Sequence, residues 1–292
     1  MAEDAASLVG KPAPDAEVVA VGPDAVGVKV GDRRVVFPWI GCGECSLCAA
    51  GDEHLCNSPR ALGIHRDGGF ATHTVVPHAQ YLLDYGSLAE EQACTYACSG
   101  LTAYSALKKI GTLGPKDPLL IIGAGGVGLS GIRLARQMFG VAPIVVELDR
   151  GKWDIAREAG AGELIDPSAE GALKALLKAT GGVAAAVDFV GAASSFNFGF
   201  GALRKAGKLI CVGLFGGSTP IVPAMVSMKA VSVASTPAAA YASRKASSWP
   251  MPLWWVTCGR CSGAISAKAC GTTSLSARAP RLPPTTSKRN GP

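Results

Sequence analysis

The sequence predicts an α/β protein in which a doubly wound parallel sheet follows a smaller β-rich domain. Three observations carry this expectation. Between about residues 87 and 233, continuous apolar runs alternate with helical stretches, as βαβ units require. A glycine-rich turn separates the first of these runs from the first helix. Before residue 86, short β-branched runs are bounded by turn residues at close spacing, which suits a small β domain.

Val18, Val19, Ala20 and Val21 form a β-branched run stopped by Gly22-Pro23-Asp24, which predicts a strand and a turn. Gly31-Asp32 opens a second turn, and Arg33 to Phe37 continue it as a strand. The alternation from Gly69 to Val76 predicts a third. The period then changes. Leu119 to Ile122 reads as a buried strand, and Val127 to Met138 as the helix that follows it. A strand over Pro143 to Leu148 precedes a helix over Lys152 to Ala159, stopped at Gly160. Ala184–Val190 and Lys208–Leu214 read as further buried strands, separated by the amphipathic stretch Ser194–Leu203. These patterns predict a β-rich domain over 1–86, a nucleotide-type α/β domain over 87–233, and a tail over 234–292 expected to be disordered.

Charge marks the last boundary. The formal net charge is +6. Residues 1–234 carry 20 basic and 22 acidic residues, whereas 235–292 carry eight basic and none acidic, so the surplus lies wholly in the tail. The body is slightly acidic, and no RRM, helix-turn-helix or aromatic-interleaved basic face accompanies the tail, which argues against a nucleic-acid partner. The Ala, Arg, Pro, Ser, Trp and Cys mixture of the tail is what a GC-rich gene yields out of frame, and a frameshift near Ala234 is expected.

The acidic start Met1-Ala2-Glu3-Asp4 lacks the basic and apolar regions of a secretory leader. No uninterrupted apolar run reaches 18 residues, so no membrane helix is predicted. A cytoplasmic protein with reduced cysteines is the expectation.

Four of the ten cysteines cluster as Cys42-x2-Cys45-x2-Cys48-x7-Cys56. Four thiolates on one short loop can wrap a tetrahedral Zn²⁺ with no open position, which defines a structural site. An iron–sulfur loop is the rival; the seven-residue last spacing and Asn57 in place of a proline disfavour it. Cys258 and Cys261 have no partner pair, and no metal is predicted there.

Gly123-Ala124-Gly125-Gly126-Val127-Gly128 matches G-x-G-x-x-G between a predicted strand and helix. The first glycine permits a tight turn, the second admits a pyrophosphate, and the third lets helix and strand pack closely. The phosphates are held at the helix N-terminus. Glu147 ends the next predicted strand, nineteen residues after Gly128, where a carboxylate accepts hydrogen bonds from ribose hydroxyls and disfavours a 2′-phosphate. These residues predict a Rossmann-type NAD site; a glycine-rich turn without a ligand is the alternative.

Together with Gly31-Asp32-Arg33, Gly68-Gly69-Phe70-Ala71 and the segment from Cys98 to Ala106, these motifs resemble the zinc-dependent alcohol dehydrogenases of the medium-chain dehydrogenase/reductase superfamily. The likeness runs in order over roughly residues 16–233. It implies a GroES-like catalytic domain ahead of the Rossmann domain. Cys42, Cys45, Cys48 and Cys56 match the family's structural-zinc ligands, and Cys98 its third catalytic-zinc ligand. Thr102 matches a residue lining the nicotinamide. Gly123, Ala124, Gly125, Gly126, Val127 and Gly128 match the pyrophosphate loop, Glu147 the ribose carboxylate, and Lys152 a lysine near the adenosine. Val212, Gly213 and Leu214 match the segment whose backbone meets the carboxamide. The implied activity is hydride transfer between an alcohol and NAD at a zinc ion, giving an aldehyde or ketone. The implied partners are a small alcohol or carbonyl substrate and a second copy of the chain at the nucleotide domain's edge strand.

Two departures accompany the likeness. Lys11, Pro12 and Ala13 stand where the family carries Gly-His-Glu, and the family's first catalytic cysteine lies in a segment that would precede this sequence. His54, His65, His73 and His78 do not fall in ligand positions. An incomplete catalytic zinc site is therefore expected, and an inactive NAD- and zinc-binding remnant is the alternative function.

Overall fold

The computed structural model of the chain describes residues 17–236. Its centre is a six-stranded parallel sheet built from β3 (Leu119–Ile122), β4 (Ile144–Val146), β5 (Glu163–Ile165), β6 (Val183–Asp188), β7 (Leu203–Cys211) and β8 (Ser232–Ser235). The spatial order is β5-β4-β3-β6-β7-β8. The chain winds outwards from β3 in one direction, then returns to β6 and winds in the other. That reversal creates the switch point at which such sheets bind ligands.

The period-two pattern of β3 explains the two helical layers. Leu119 and Ile121 face one cluster, packed by α3 (Leu101–Ile110), α4 (Gly126–Phe139) and α5 (Trp153–Ala159). Leu120 and Ile122 face the other, packed by α6 (Ala172–Thr180), α7 (Ala193–Ala202) and α8 (Pro223–Lys229). Strands covered on both faces need continuous apolar sequence, which β3 supplies throughout and β6 from Val183 to Val187, with every residue of both buried. The predicted elements of this region form as expected, with β7 beginning earlier at Leu203 and ending at Cys211. Val212–Leu214 therefore follow the strand rather than end it. The elements α3, β5, α6, α8 and β8, and a helix over 90–95, form in addition to those predicted.

The N-terminal region is less regular. Val35–Val36 form β1, antiparallel to β2 (Leu82–Leu83), with Val35 opposite Leu83 and Val36 opposite Leu82. Phe37, Ile40, Tyr81 and Leu101 make a small separate core beneath them. The predicted strand at Val18–Val21 reduces to one antiparallel bridge, Glu17 with Arg33. The Val18 amide donates to Asp32 O at 2.9 Å, and the Gly31 amide to Val18 O at 2.8 Å, but the ladder ends there. The predicted strand at Gly69–Val76 is absent: Phe70 is 99% and Val75 84% exposed. Alternation produces a strand only when a partner edge accepts its backbone bonds, and among the described residues no strand lies alongside.

A helical rod joins the two regions. It begins with α2 (Glu90–Thr95), passes through a π-helical turn at Tyr96–Gly100 and continues as α3. Glu90 ties its start to the N-terminal region through Arg33 at 2.6 Å and the Tyr85 hydroxyl at 2.7 Å. Leu107, in α3, is fully buried in the nucleotide core. Among the described residues no helix is long and apolar enough to cross a membrane. Of the tail expected over 234–292, Ala234 and Ser235 lie in β8 and Thr236 is buried, its amide donating to Cys211 O, whereas residues 237–292 lie outside the described residues.

Candidate cofactor cleft and metal centre

The four thiols of the cysteine loop converge. The sulfurs of Cys42, Cys45, Cys48 and Cys56 all lie within 4.8 Å of one another, with Cys42 to Cys48 and Cys45 to Cys56 both 3.8 Å. A tetrahedron with Zn–S bonds of about 2.3 Å has sulfur–sulfur edges of about 3.8 Å. The set therefore fits one zinc ion. An iron–sulfur cluster, with thiolates on different irons, would spread the sulfurs further apart.

Local backbone structure makes the convergence possible. Cys45 caps α1 (Ser46–Ala49), its sulfur accepting from the Cys48 amide at 3.5 Å. The Cys45 amide points at Cys42 Sγ at 3.4 Å, and the Cys42 and Ser58 amides at Cys56 Sγ, each at 3.3 Å. Such N–H···S bonds favour thiolates. The amides of Glu44 and Cys45 hold Cys42 down at about 6, whereas burial pushes Cys48 up to about 12. A bound cation would offset the burial penalty on Cys48.

Sequence reasoning overlooked Glu53, which sits between the third and fourth cysteines. Its side chain is buried, and Oε2 accepts from the Gly41 amide at 3.1 Å and from the Tyr81 hydroxyl at 2.6 Å. Glu53 thus fastens the loop's entrance to the small N-terminal core. A Cβ on Gly41 would run into Cys48 Sγ, so the entrance also requires a glycine. The neighbouring His54 leaves Nδ1 buried and unpartnered, and burial lowers its pKa. His65, His73 and His78 join no metal cluster among the described residues.

The second site lies at the C-terminal ends of β3, β4, β6 and β7. Gly123 turns the chain out of β3 at φ +92°, a conformation that L side chains rarely adopt. Gly125 and Gly126 face open space, where a Cβ would meet nothing within 4 Å, whereas a Cβ on Gly128 would run into the Gly123 carbonyl. This division is what a phosphate-binding turn needs: open backbone at the helix mouth and closed packing behind it. Ala124 is buried and Val127 packs against the core.

Glu147 follows β4 and lies against this turn. Oε2 accepts from the Ala124 amide at 2.7 Å and Oε1 from the Asp149 amide at 2.9 Å, so the carboxylate is fixed beside the glycine loop. Lys152 Nζ lies 3.9 Å from Oε1 and 3.5 Å from Asp149 Oδ2. Arg150 turns away, stacking over Trp153 and pairing with Asp166 at 3.2 Å. On the other side of β3, Val212 and Gly213 follow β7, both amides donating to Asp188 O, and Leu214 is exposed.

The rod supplies the remaining predicted residues. Cys98 is exposed on the π-helical turn, and Thr102 is buried one turn later. The Trp39 indole N–H donates to the Ala97 carbonyl at 3.2 Å and steadies the turn. Among the described residues Cys98 is joined by no other pair of metal-type ligands, because the only such cluster of three or more is the four-cysteine loop. A catalytic zinc needs three protein ligands, so the described residues do not by themselves fit one. Lys11, Pro12 and Ala13 lie outside the described residues.

A switch-point cleft with an open glycine turn, a carboxylate beside it and a tetrathiolate loop ahead of the sheet define a protein with a Rossmann-type nucleotide fold and a zinc-type cysteine loop. Comparison with known proteins narrows this class. Residues 126–249 match the family described as zinc-binding dehydrogenase, and residues 15–85 the alcohol dehydrogenase GroES-like domain. Over these two stretches the chain is similar to zinc-dependent alcohol dehydrogenases. The first of the two matches continues past Ala234, where composition predicts a break.

An NAD-dependent alcohol dehydrogenase of Saccharolobus solfataricus is 37% identical over 203 residues, covering 68% of this chain and 58% of that protein. An L-threonine 3-dehydrogenase of Pyrococcus furiosus is 33% identical over 207 residues, 70% of this chain and 59% of that protein. Among solved structures, an alcohol dehydrogenase from Aeropyrum pernix matches with a TM-score of 0.70 at 27% identity, covering 77% of this chain and 67% of that one. The chain thus spans less than two thirds of the length of these curated relatives.

Proposed function

We propose that the chain is an NAD-linked oxidoreductase that interconverts an alcohol and an aldehyde or ketone, with one structural zinc. The division of the glycine turn into an open mouth and a closed back, with Glu147 fixed beside it, is the observation that carries this. In this assignment Gly123, Ala124, Gly125, Gly126, Val127 and Gly128 hold the pyrophosphate. Glu147 accepts from the adenosine ribose, and Lys152 sits beside the adenosine. Val212, Gly213 and Leu214 meet the carboxamide through their backbone. Cys42, Cys45, Cys48 and Cys56 hold the structural zinc. Cys98 is a catalytic-zinc ligand, and Thr102 lines the nicotinamide.

The NAD preference rests on Glu147, whose negative charge repels a 2′-phosphate while its oxygens accept from ribose hydroxyls. When bound, NAD supplies the hydride acceptor. The described residues orient the cofactor: the glycine turn sets the phosphates, and the Val212 segment limits where the nicotinamide can lie. The names of the relatives support the enzymatic assignment over an inactive remnant. They differ in substrate, so a small alcohol or carbonyl compound is proposed without a narrower class. We also place the domain boundary at 86/87, the protein in the cytoplasm, and a second copy of the chain at the β8 edge. Nucleic acid and membrane are not among the proposed partners.

The test combines three measurements on the full chain: zinc per chain by mass spectrometry, NADH binding by fluorescence, and alcohol-dependent NADH formation. Two zincs with turnover support the enzyme. One zinc with NADH binding and no turnover supports the remnant instead, and a chain that binds no NADH sinks both.

A further inference from the structure

Asp188 is the last residue of β6 and is 1% exposed. It stands between Ile122 of β3 and Cys211 of β7 in the sheet register, at the centre of the switch-point crevice. A carboxylate there is strongly disfavoured by desolvation unless its acceptors are used. Here the donors all come from one turn. Oδ1 accepts from the amides of Val190 at 2.9 Å and Gly191 at 3.0 Å, and Oδ2 from the Ser195 hydroxyl at 2.8 Å. Ser195 Oγ in turn accepts from the Ala192 amide at 2.9 Å, which closes the turn into α7.

That turn touches both halves of the proposed cofactor site. A Cβ on Gly123 would stand 2.8 Å from Val190 Cγ2, so Val190 braces the pyrophosphate turn from below. On the other side, the carbonyls of Val190 and Gly191 accept from the amides of Phe215 at 3.2 Å and Gly216 at 3.0 Å. Gly191 and Gly213 pack backbone on backbone, with no room for a Cβ on either. The main-chain carbonyl of Asp188 itself accepts from Val212 at 2.9 Å and Gly213 at 3.0 Å. The segment proposed to meet the nicotinamide is therefore held by Asp188 directly and, through residues 190–191, a second time.

We propose that Asp188, acting with Ser195, is a positioning residue for the nicotinamide half of the cofactor: it fixes the β6–α7 turn against which Val212–Leu214 is set. The inference rests on the NAD reading of the cleft. The adenosine half depends on Glu147 and Ala124, which share no hydrogen-bond partner with Asp188. Groups without shared partners respond nearly independently, so the two halves should separate on mutation.

The test titrates the full chain and its Asp188→Asn variant with NADH and, separately, with AMP, which reports the adenosine half alone. Asparagine keeps the size but loses the charge-assisted bonds, so NADH affinity should fall on the order of tenfold while AMP affinity stays within about twofold. Ser195→Ala should reproduce a smaller part of the NADH loss, and Ser195→Thr should restore it, which also covers the case in which Asp188→Asn does not fold. Equal weakening of NADH and AMP would overturn the inference, as would no change in either with the fold intact. A parent chain that binds neither ligand would instead overturn the cofactor reading on which the inference stands.

Discussion

The two regions of this molecule hold themselves together by different means. In the nucleotide region, β3 and β6 are buried on both faces and pair with each other where the winding reverses. In the N-terminal region the paired strands are two residues long, and four converging sulfurs do the organising. Burial of apolar area near 25 cal/mol per Å² is spread over dozens of side chains in the first case. In the second it gives way to a single ligand-centred knot. The first should lose stability in increments and the second all at once.

Removing one thiol tests this contrast most severely. Cys48 is fully buried, and Cys48→Ser should abolish zinc retention and expose residues 41–60 to protease. Structural zinc contributes about 10–16 kcal/mol to folding in small zinc peptides, so the local effect should be total. The nucleotide region should keep its unfolding transition. Loss of both transitions together would show that the regions are not separable. Limited proteolysis with mass spectrometry reads the first effect, and calorimetry the second.

Gly128→Ala is the corresponding blow to the sheet region. Its Cβ would meet the Gly123 carbonyl, a backbone atom that cannot step aside, and overpacking of this kind costs about 1–3 kcal/mol. A lowered melting temperature with unchanged zinc content is expected. Gly125→Ala sharpens the contrast within the same turn. A Cβ there meets nothing in the protein, so stability should hold within about 1 kcal/mol while NADH affinity falls. A variant that bound NADH as the parent does would remove the phosphate role from that position. The smallest effect concerns the link between the regions. The Arg33–Glu90 pair is 2.6 Å long but half-exposed, and Arg33→Ala should cost less than about 1 kcal/mol. Chemical denaturation of parent and variant would measure it.

The same difference explains what could be read in the sequence. β3, the glycine turn, α4 and Glu147 are encoded within thirty residues, so period, spacing and residue type suffice to place them. The cysteine loop is equally local. Val18–Val21 and Gly69–Val76 carry convincing strand patterns, but a strand is completed by a partner that its own residues do not specify. Asp188 and Glu53 stayed invisible for a related reason. An acid inside a run read as a buried strand, Ala184–Val190, shows nothing of its partners, and one between two cysteines looks like loop polarity. Only tertiary contacts reveal that amides and hydroxyls surround them. A faint signal did exist, since Asp188 is followed three residues later by Gly191 and seven later by Ser195, a spacing that suits a side chain folded back on its own turn.

The π-helical turn between α2 and α3 sets the angular phase of the whole connection. It holds one residue more than an α-helical turn would, and the Tyr96 ring lies over Gly100, where a side chain would collide with it. Deleting one residue there would restore an unbroken α-helix and rotate everything upstream by about 100° relative to Leu107. Cys98 would then face another direction, and Leu101, which lies beyond the turn, would be swung away from Phe37, Ile40 and Tyr81. In this chain the heading of the exposed thiol is a matter of counting residues, and a single-codon deletion would reset it as surely as a substitution.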